Sequence, residues 1–309
     1  MNVLVMAAGS VGGYFGSLLA KAGNDVLFVA RGENLAAIAS DGLRVESVTS
    51  GNFSIDAKAV ERPDGSWSAD LVLFCVKSYH NSVAIDTITP AVGDETAILT
   101  LQNGIGSGDE LSAAFGAGRI MLGAAYVEAA HPGPGLFQEL GGITRIVFAE
   151  QGGSPSQRGA EIRETFADAG IDSEIAEDIE QALWNKLVYI CGLSGMTCIT
   201  HSSFAEVMDS PETRKMTLDV LNEAYAVGRS AGVDLAPDLV ESIMENFVED
   251  SDHLISSMHA DLTAGRPMEF GNLNGKVSEL GRQLGVPTPI NDFITACLIP
   301  QHKRALARM

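Results

Sequence analysis

The first 31 residues constrain the fold more than any other stretch of the chain. Residues 3–6, Val-Leu-Val-Met, form a short apolar run. The turn Ala7-Ala8-Gly9-Ser10-Val11-Gly12-Gly13 follows, then an apolar-periodic helix to Gly23, then a second apolar run from Asp25 to Val29. A strand, a glycine turn, a helix and a strand within about thirty residues is the βαβ context of a dinucleotide fingerprint. In such a turn the N–H groups at the helix start face a pyrophosphate, and the helix dipole favours its charge. Gly9, Ser10, Val11 and Gly12 are therefore the expected cofactor-binding residues. Gly9 lets the backbone approach the phosphates, and Gly12 lets helix and strand pack closely. A glycine-rich turn with no ligand is the plainer alternative. The first glycine of G-x-G-x-x-G is here Ala7. An alanine costs little there if φ is negative and strains the turn if φ is positive.

The second strand ends Val29-Ala30-Arg31-Gly32, with no acid before Glu33. An NAD binder usually places Asp or Glu near this point for the ribose 2′-OH. A guanidinium fork suits a 2′-phosphate instead, so Arg31 predicts NADPH. Residues 70–76 and 96–101 are continuous apolar runs, as parallel strands buried on both faces should be. Lys77 follows the first run, and Gln102-Asn103-Gly104 follows the second. Runs at 119–126 and 144–149 supply further strands. Ligands of open α/β sheets bind outside the carboxyl ends of the strands. Arg31, Lys77 and Asn103 all lie just past such ends, which predicts one crevice; taken singly, Lys77 or Asn103 reads equally well as a turn residue.

After Gly152-Gly153-Ser154-Pro155-Ser156 one more helix–strand unit reaches about Ile175, and from Asp178 the apolar period becomes helical throughout. The expected architecture is α/β: an N-terminal Rossmann-like dinucleotide-binding domain over residues 1–176, then an all-α C-terminal domain over 177–309. Ser210-Pro211 and Thr288-Pro289 read as helix starts, Pro237 and Arg266-Pro267 as two more, and Gly232 and Gly285 as stops. The chain carries 20 basic and 40 acidic side chains, a net charge of −20. That field disfavours nucleic acid and anionic membranes as partners, while leaving room for a small anion held by a few local cations. No apolar run approaches the roughly 18 residues of a membrane span. The amino terminus lacks the basic and small-residue marks of a signal peptide. Cys75, Cys191, Cys198 and Cys297 are far apart among apolar neighbours and read as buried free thiols, which suits the cytoplasm. No metal site is expected, and the sequence leaves open whether the chain forms a homodimer.

In the first helix of the second half, Leu183, Leu187 and Ile190 share a face, and Lys186 falls on it. Such a lysine either snorkels at an edge or sits in a partly desolvated cleft. In a cleft its pKa falls, which makes it a competent proton donor near neutral pH. Ser257 reads as a mid-helix serine that bonds back to a carbonyl one turn earlier. Glu269 reads as a first-turn carboxylate favoured by the helix dipole. Neither residue needs a function on those grounds.

The order and spacing of several motifs tie these residues together. They are the opening turn through Gly16, Ala30-Arg31-Gly32, Val76-Lys77, Gln102-Asn103-Gly104, Trp184-Asn185-Lys186-Leu187, and Ser256-Ser257-Met258 through Asp261 to Gly265-Arg266-Pro267-Met268-Glu269. Over nearly all 309 residues the chain resembles the ketopantoate reductase (2-dehydropantoate 2-reductase) family. The resemblance implies a two-domain enzyme that reduces a 2-keto acid with NADPH. It implies Lys186 as general acid and Glu269 as its carboxylate partner, which also accepts from a substrate hydroxyl. Ser257 would contact the substrate carboxylate, Lys77 and Asn103 would line the nicotinamide and substrate cleft, and Arg31 would hold the 2′-phosphate. A non-catalytic NADP-binding regulator with the same fold would need neither Lys186 nor Glu269.

The departures from the family pattern concern the substrate. Members typically carry Asn four and eight residues after the lysine and three before the serine; here those places hold Ile190, Ser194 and Leu254. Two apolar side chains in place of amides predict a less polar pocket, because a buried substrate hydroxyl left unpaired costs roughly 1–3 kcal/mol. Ketopantoate is the default substrate, and a less polar keto acid or ketone is the alternative.

Overall fold

In the computed structural model, which describes residues 1–308, the opening unit forms as β1 (Asn2–Met6), α1 (Ser10–Lys21) and β2 (Asp25–Val29). β1 and β2 pair in parallel, Val3 opposite Val26 and Met6 opposite Val29. The chain continues through α2 (Gly32–Asp41), β3 (Leu43–Ser47), β4 (Phe53–Ile55), β5 (Lys58–Val60), β6 (Ala69–Phe74), α3 (Asn81–Ile88) and β7 (Val92–Thr100). Then come α4 (Ser107–Phe115), β8 (Ile120–Tyr126), β9 (Ala129–Gly133), β10 (Leu136–Glu139), β11 (Arg145–Glu150), α5 (Gln157–Asp168) and β12 (Asp172–Ile175).

Eight strands make the main sheet, in the order β12-β11-β8-β7-β6-β1-β2-β5. Only β8 and β11 run antiparallel to each other. The central strand β6 explains its own apolar run: Leu71, Val72, Leu73 and Phe74 are all fully buried, because both faces of the strand are covered. Parallel neighbours β7, β6, β1 and β2 present their carboxyl ends along one edge. The backbone ladder runs on past these ends, Cys75 N–H donating to Met6 at 3.0 Å and Leu101 N–H to Phe74 at 3.0 Å.

A second sheet, β4-β3-β10-β9, has no counterpart in the sequence reading. Its strands are three to five residues long, and β3 buries only alternate side chains. It lies against α1, where Phe137 is fully buried and the Tyr14 hydroxyl reaches Ser47 (3.3 Å) and Ser50 (3.0 Å).

The helical half comprises α6 (Ile179–Thr200), α7 (Phe204–Asp209), α8 (Pro211–Ser230), α9 (Leu239–Asp250), α10 (Ser257–Thr263), α11 (Asn274–Leu284) and α12 (Pro289–Leu306). Pro211 and Pro289 open α8 and α12 as read, while Gly232 and Gly285 stand just past the ends of α8 and α11 in positive-φ conformations. Pro237 does not open a helix; α9 begins two residues later at Leu239. Trp184, Leu187, Val188 and Cys191 of α6 are at most 3% exposed. Burying side chains of this size contributes about 1.5–3 kcal/mol each. Buried amides brace the helices against one another: Asn274 donates to Asn291 at 2.9 Å, and Asn291 donates to Glu223 at 2.7 Å. Residues 1–102 with 107–179 form one compact unit; Glu180 onward, together with the four-residue loop 103–106, forms the other. No helix among the described residues is long and apolar enough to cross a membrane.

Three further local expectations are corrected. Arg266-Pro267 does not begin a helix: residues 266–269 are irregular, followed by a 3-10 turn over Phe270–Asn272, and α11 starts only at Asn274. Arg266 N–H returns to Asp261 at 2.8 Å and Met268 N–H goes to a side chain, while Glu269 O accepts from Asn272 N–H at 3.1 Å in the tighter 3-10 pattern. Ser257 is not mid-helix but the first residue of α10, capped by the Ser256 hydroxyl that accepts from His259 N–H at 3.1 Å. The cysteines are free, yet Cys75 is partly buried and Cys297 is exposed on α12, so only Cys191 and Cys198 fit the buried reading.

Candidate active site

The glycine turn of the first unit is built as a phosphate cradle. Gly9 is the N-cap of α1 in extended conformation, so the N–H groups of Ser10, Val11 and Gly12 form the helix's first turn. These groups have no partner within the helix. A Cβ added at Gly9 would meet nothing within 4 Å, whereas one at Gly12 would lie 2.3 Å from the carbonyl oxygen of Ala7. Gly9 therefore faces open space, and Gly12 is required for close packing. Ala7 has φ +76, the conformation in which alanine strains the turn.

A cleft of about 280 Å³ opens beside this turn, lined among others by Gly9, Ala30, Arg31, Asn34, Val76 and His80. Arg31 is the N-cap of α2 and exposed; Lys77 follows Val76 and is partly buried. An open backbone at Gly9, a first-turn donor set and a cation at the far strand end fit a dinucleotide. Asn34 fixes the wall of the cleft, donating to Ala8 at 2.9 Å and accepting from Gly135 N–H at 2.9 Å. His80 shares the cleft, and burial together with the Arg31 charge lowers its pKa. Spacing gave no sign of His80 or Asn34, because both reach the cleft from helical turns after the strand ends.

Gln102 explains how the loops beyond β6 and β7 are held. Its buried amide donates to Val76 O and to Asn81 Oδ1, both at 2.7 Å, and accepts from Thr100 Oγ1 at 3.1 Å. Of the residues it braces, Val76 immediately precedes Lys77 and Asn81 opens α3 four residues after it. Asn103 follows in the loop that clusters with the helical unit. There Gly104 has φ +86, and a Cβ on it would lie 2.0 Å from Asn272 O. Ile105 N–H donates to Asn272 O at 3.4 Å, and Asn272 Nδ2 donates to Ile105 O at 3.3 Å. Asn272 lies three residues after Glu269, so within this unit the Asn103 loop is docked onto the segment that carries Glu269. Sequence reading missed Asn272; the glycine beside Asn103 was its one trace.

Lys186 lies on α6 between buried Leu183 and Leu187 and is itself partly buried. Desolvation lowers its pKa from the usual lysine value to about 8, and the charge of Glu269 works in the opposite direction. Glu269 is 8% exposed, in the irregular segment before the 3-10 turn. Ser257 is exposed, and its neighbour Ser256 donates to Ser194 Oγ at 3.0 Å. Ser194 is eight residues after Lys186, about two helical turns. Ile190 lies between them, and both Ile190 and Leu254 are partly buried against the helical core.

A dinucleotide cradle in an α/β unit and a desolvated lysine under a carboxylate's charge in a helical unit are the parts of a dinucleotide-dependent oxidoreductase. The family model Ketopantoate reductase PanE/ApbA matches residues 3–153, and the model of that family's C-terminal part matches residues 178–301. The chain belongs to the ketopantoate reductase family. It is 30% identical to the 2-dehydropantoate 2-reductase of Mesorhizobium japonicum, the match covering 96% of each chain. Among solved structures it is similar to a PanE/ApbA family ketopantoate reductase from Ralstonia eutropha JMP134, with a TM-score of 0.91 and 31% identity over 99% of this chain and 100% of that one. The fold is also shared, with a TM-score of 0.90 and 22% identity over 98% of each chain, by D-mandelate dehydrogenase in a ternary structure with NADH and anilino(oxo)acetate.

Proposed function

We propose that the protein reduces a 2-keto acid to the 2-hydroxy acid with NADPH, 2-dehydropantoate being the default substrate. The observation that carries this reading is Lys186, whose pKa near 8 leaves it protonated at neutral pH yet able to give up the proton. The bound dinucleotide supplies the hydride. Gly9 and the first-turn N–H groups of Ser10, Val11 and Gly12 would hold its pyrophosphate, Arg31 its 2′-phosphate, and Lys77 and Asn103 its nicotinamide end. As charge develops on the carbonyl oxygen, Lys186 stabilises it and then transfers a proton from Nζ to that oxygen. Glu269 keeps the lysine charged and oriented. The Ser257 hydroxyl would donate to the substrate carboxylate.

Ile190 and Leu254 favour a second reading of the substrate, a 2-keto acid without the hydroxyl of ketopantoate. Both side chains are apolar, partly buried and held against the helical core, so neither can pair such a hydroxyl. The 2-dehydropantoate 2-reductase relatives support the first reading, and the fold shared with D-mandelate dehydrogenase supports the second only as a scaffold. A panel of 2-keto acids followed by NADPH and NADH absorbance tests both. Oxidation of NADPH with a keto acid is expected, with tighter binding of NADPH than NADH and a gap narrowed by Arg31→Ala. Equal affinity for the two cofactors in the unaltered protein would remove Arg31 from the reading, and no turnover of any keto acid would remove the reading itself.

A further inference from the structure

Glu269 sits in a segment with no helix or strand of its own, and one side chain of α12 touches the residues on both sides of it. Met268 N–H donates to Nδ1 of His302 at 3.0 Å. On the other side of Glu269, the Phe270 ring packs edge-on against the same imidazole, centroids 5.2 Å apart and planes at 87°. Both flanking residues of the carboxylate are therefore in contact with one histidine. Met268 and Phe270 of this strap are 1% and 8% exposed, and His302 is half-buried against them. α12 is a firm base for it, because Asn291 near its start is bonded to Asn274 of α11 and to Glu223 of α8.

The chemistry of the contact fixes the state of the ring. A backbone N–H can only donate, so Nδ1 must be an acceptor and the imidazole must be neutral with its proton on Nε2. Burial lowers the pKa of His302 and outweighs a backbone hydrogen bond with Met268 that raises it, so the balance favours the neutral form. Exposed Lys303 and Arg304 follow it on α12, and Glu269 with Arg266, which is paired to Asp261 at 2.8 Å, lies in the strap.

We propose that His302 is a positioning residue for the reaction: by clamping Met268 and Phe270 it holds the Glu269 carboxylate where its charge acts on Lys186. The proposal rests on the reading of Lys186 as proton donor. Its consequence is electrostatic. Burial pulls the lysine pKa down and Glu269 holds it up, the balance falling near 8. Releasing the strap removes the second influence, so the lysine pKa falls further and less of the donor is charged at neutral pH.

The test compares H302F, which keeps an aromatic edge for Phe270 but has no acceptor, with H302N, whose Oδ1 stands close to where Nδ1 was. The steady-state rate constants of both and of the parent are measured with saturating NADPH at pH values on either side of 8, beside K186A. H302F is expected to lose about 10- to 100-fold in kcat, the worth of a small misplacement, and to show the alkaline fall of kcat at lower pH. NADPH affinity should be unchanged, and H302N should recover most of the rate and the parent pH profile. If H302F does not fold, H302Q takes its place, since its amide oxygen reaches the Nε2 position and cannot serve Met268. An alkaline fall lost in K186A but unmoved in H302F or H302Q overturns the His302 proposal alone. Equal losses in the acceptor-less variant and in H302N, without a pH shift, would show a merely structural role. An alkaline fall that survives in K186A overturns the proton-donor reading and this proposal with it.

Discussion

The Ser256 hydroxyl is shared between two partners: it donates to Ser194 Oγ at 3.0 Å and accepts the His259 N–H at 3.1 Å. One hydroxyl thus starts α10 and ties that start to α6, two turns past Lys186. Ser257 owes its place to this link. Ser194 is polar and pairs the buried serine across the two helices.

Ser256→Ala should therefore do two things. It removes a helix cap and leaves the Ser194 hydroxyl buried without this partner, a loss of about 1–2 kcal/mol in denaturant unfolding. It also loosens Ser257, so KM for the keto acid should rise more than kcat falls. A variant as stable as the parent with unchanged KM would show that the link is incidental.

Ala7 stands at φ +76, in a region that costs a side chain roughly 1–2 kcal/mol. Glycine there removes the strain, offset in part by the greater freedom glycine has in the unfolded chain. Ala7→Gly is expected to raise unfolding stability by about 0.5–1 kcal/mol and to tighten NADPH binding. Chemical denaturation and a cofactor titration of the same preparation check both. A clear loss of stability would mean that the turn relaxes around alanine at no cost.

Lys186 is lowered to about 8, so it is charged below that pH and neutral above it. As a donor it works only while charged; in the direction of keto acid reduction, kcat should be flat below pH 8 and fall as pH rises through it. Lys186→Ala should lower kcat by about 10²–10⁴ and abolish that fall, with NADPH affinity nearly unchanged. Stopped-flow turnover across pH separates this from a binding effect.

Ile190 and Leu254 cannot pair a substrate hydroxyl. The enzyme should reduce the branched keto acid lacking the 4-hydroxyl of ketopantoate about as well as ketopantoate itself, since an apolar site discriminates weakly against its absence. Ile190→Asn with Leu254→Asn should shift kcat/KM toward ketopantoate. A parent preference for ketopantoate above roughly a hundredfold, about 2.7 kcal/mol, would show that other polar groups hold the hydroxyl.

The parts legible in the residues alone are those whose physics is local. The opening βαβ unit, the buried central strands and the proline-led starts of α8 and α12 follow from periodicity, glycine spacing and fixed φ, all of which act between near neighbours. Ala7 was legible as a question but not as an answer, since its φ depends on how α1 docks against β1. Spacing placed Lys186 on a core face without deciding between snorkelling and a cleft. The tertiary structure decided the rest, because contacts between residues distant in sequence leave no periodic trace. Glu269 stands outside any helix, and the Met268 N–H beside it is bonded to His302, 34 residues on. The Asn103 loop is set by Asn272, 167 residues from Ile105. Gly104 and Pro267 marked both places as irregular, and only the packing of α12 and of the turn after Glu269 could say what the irregular backbone was bonded to.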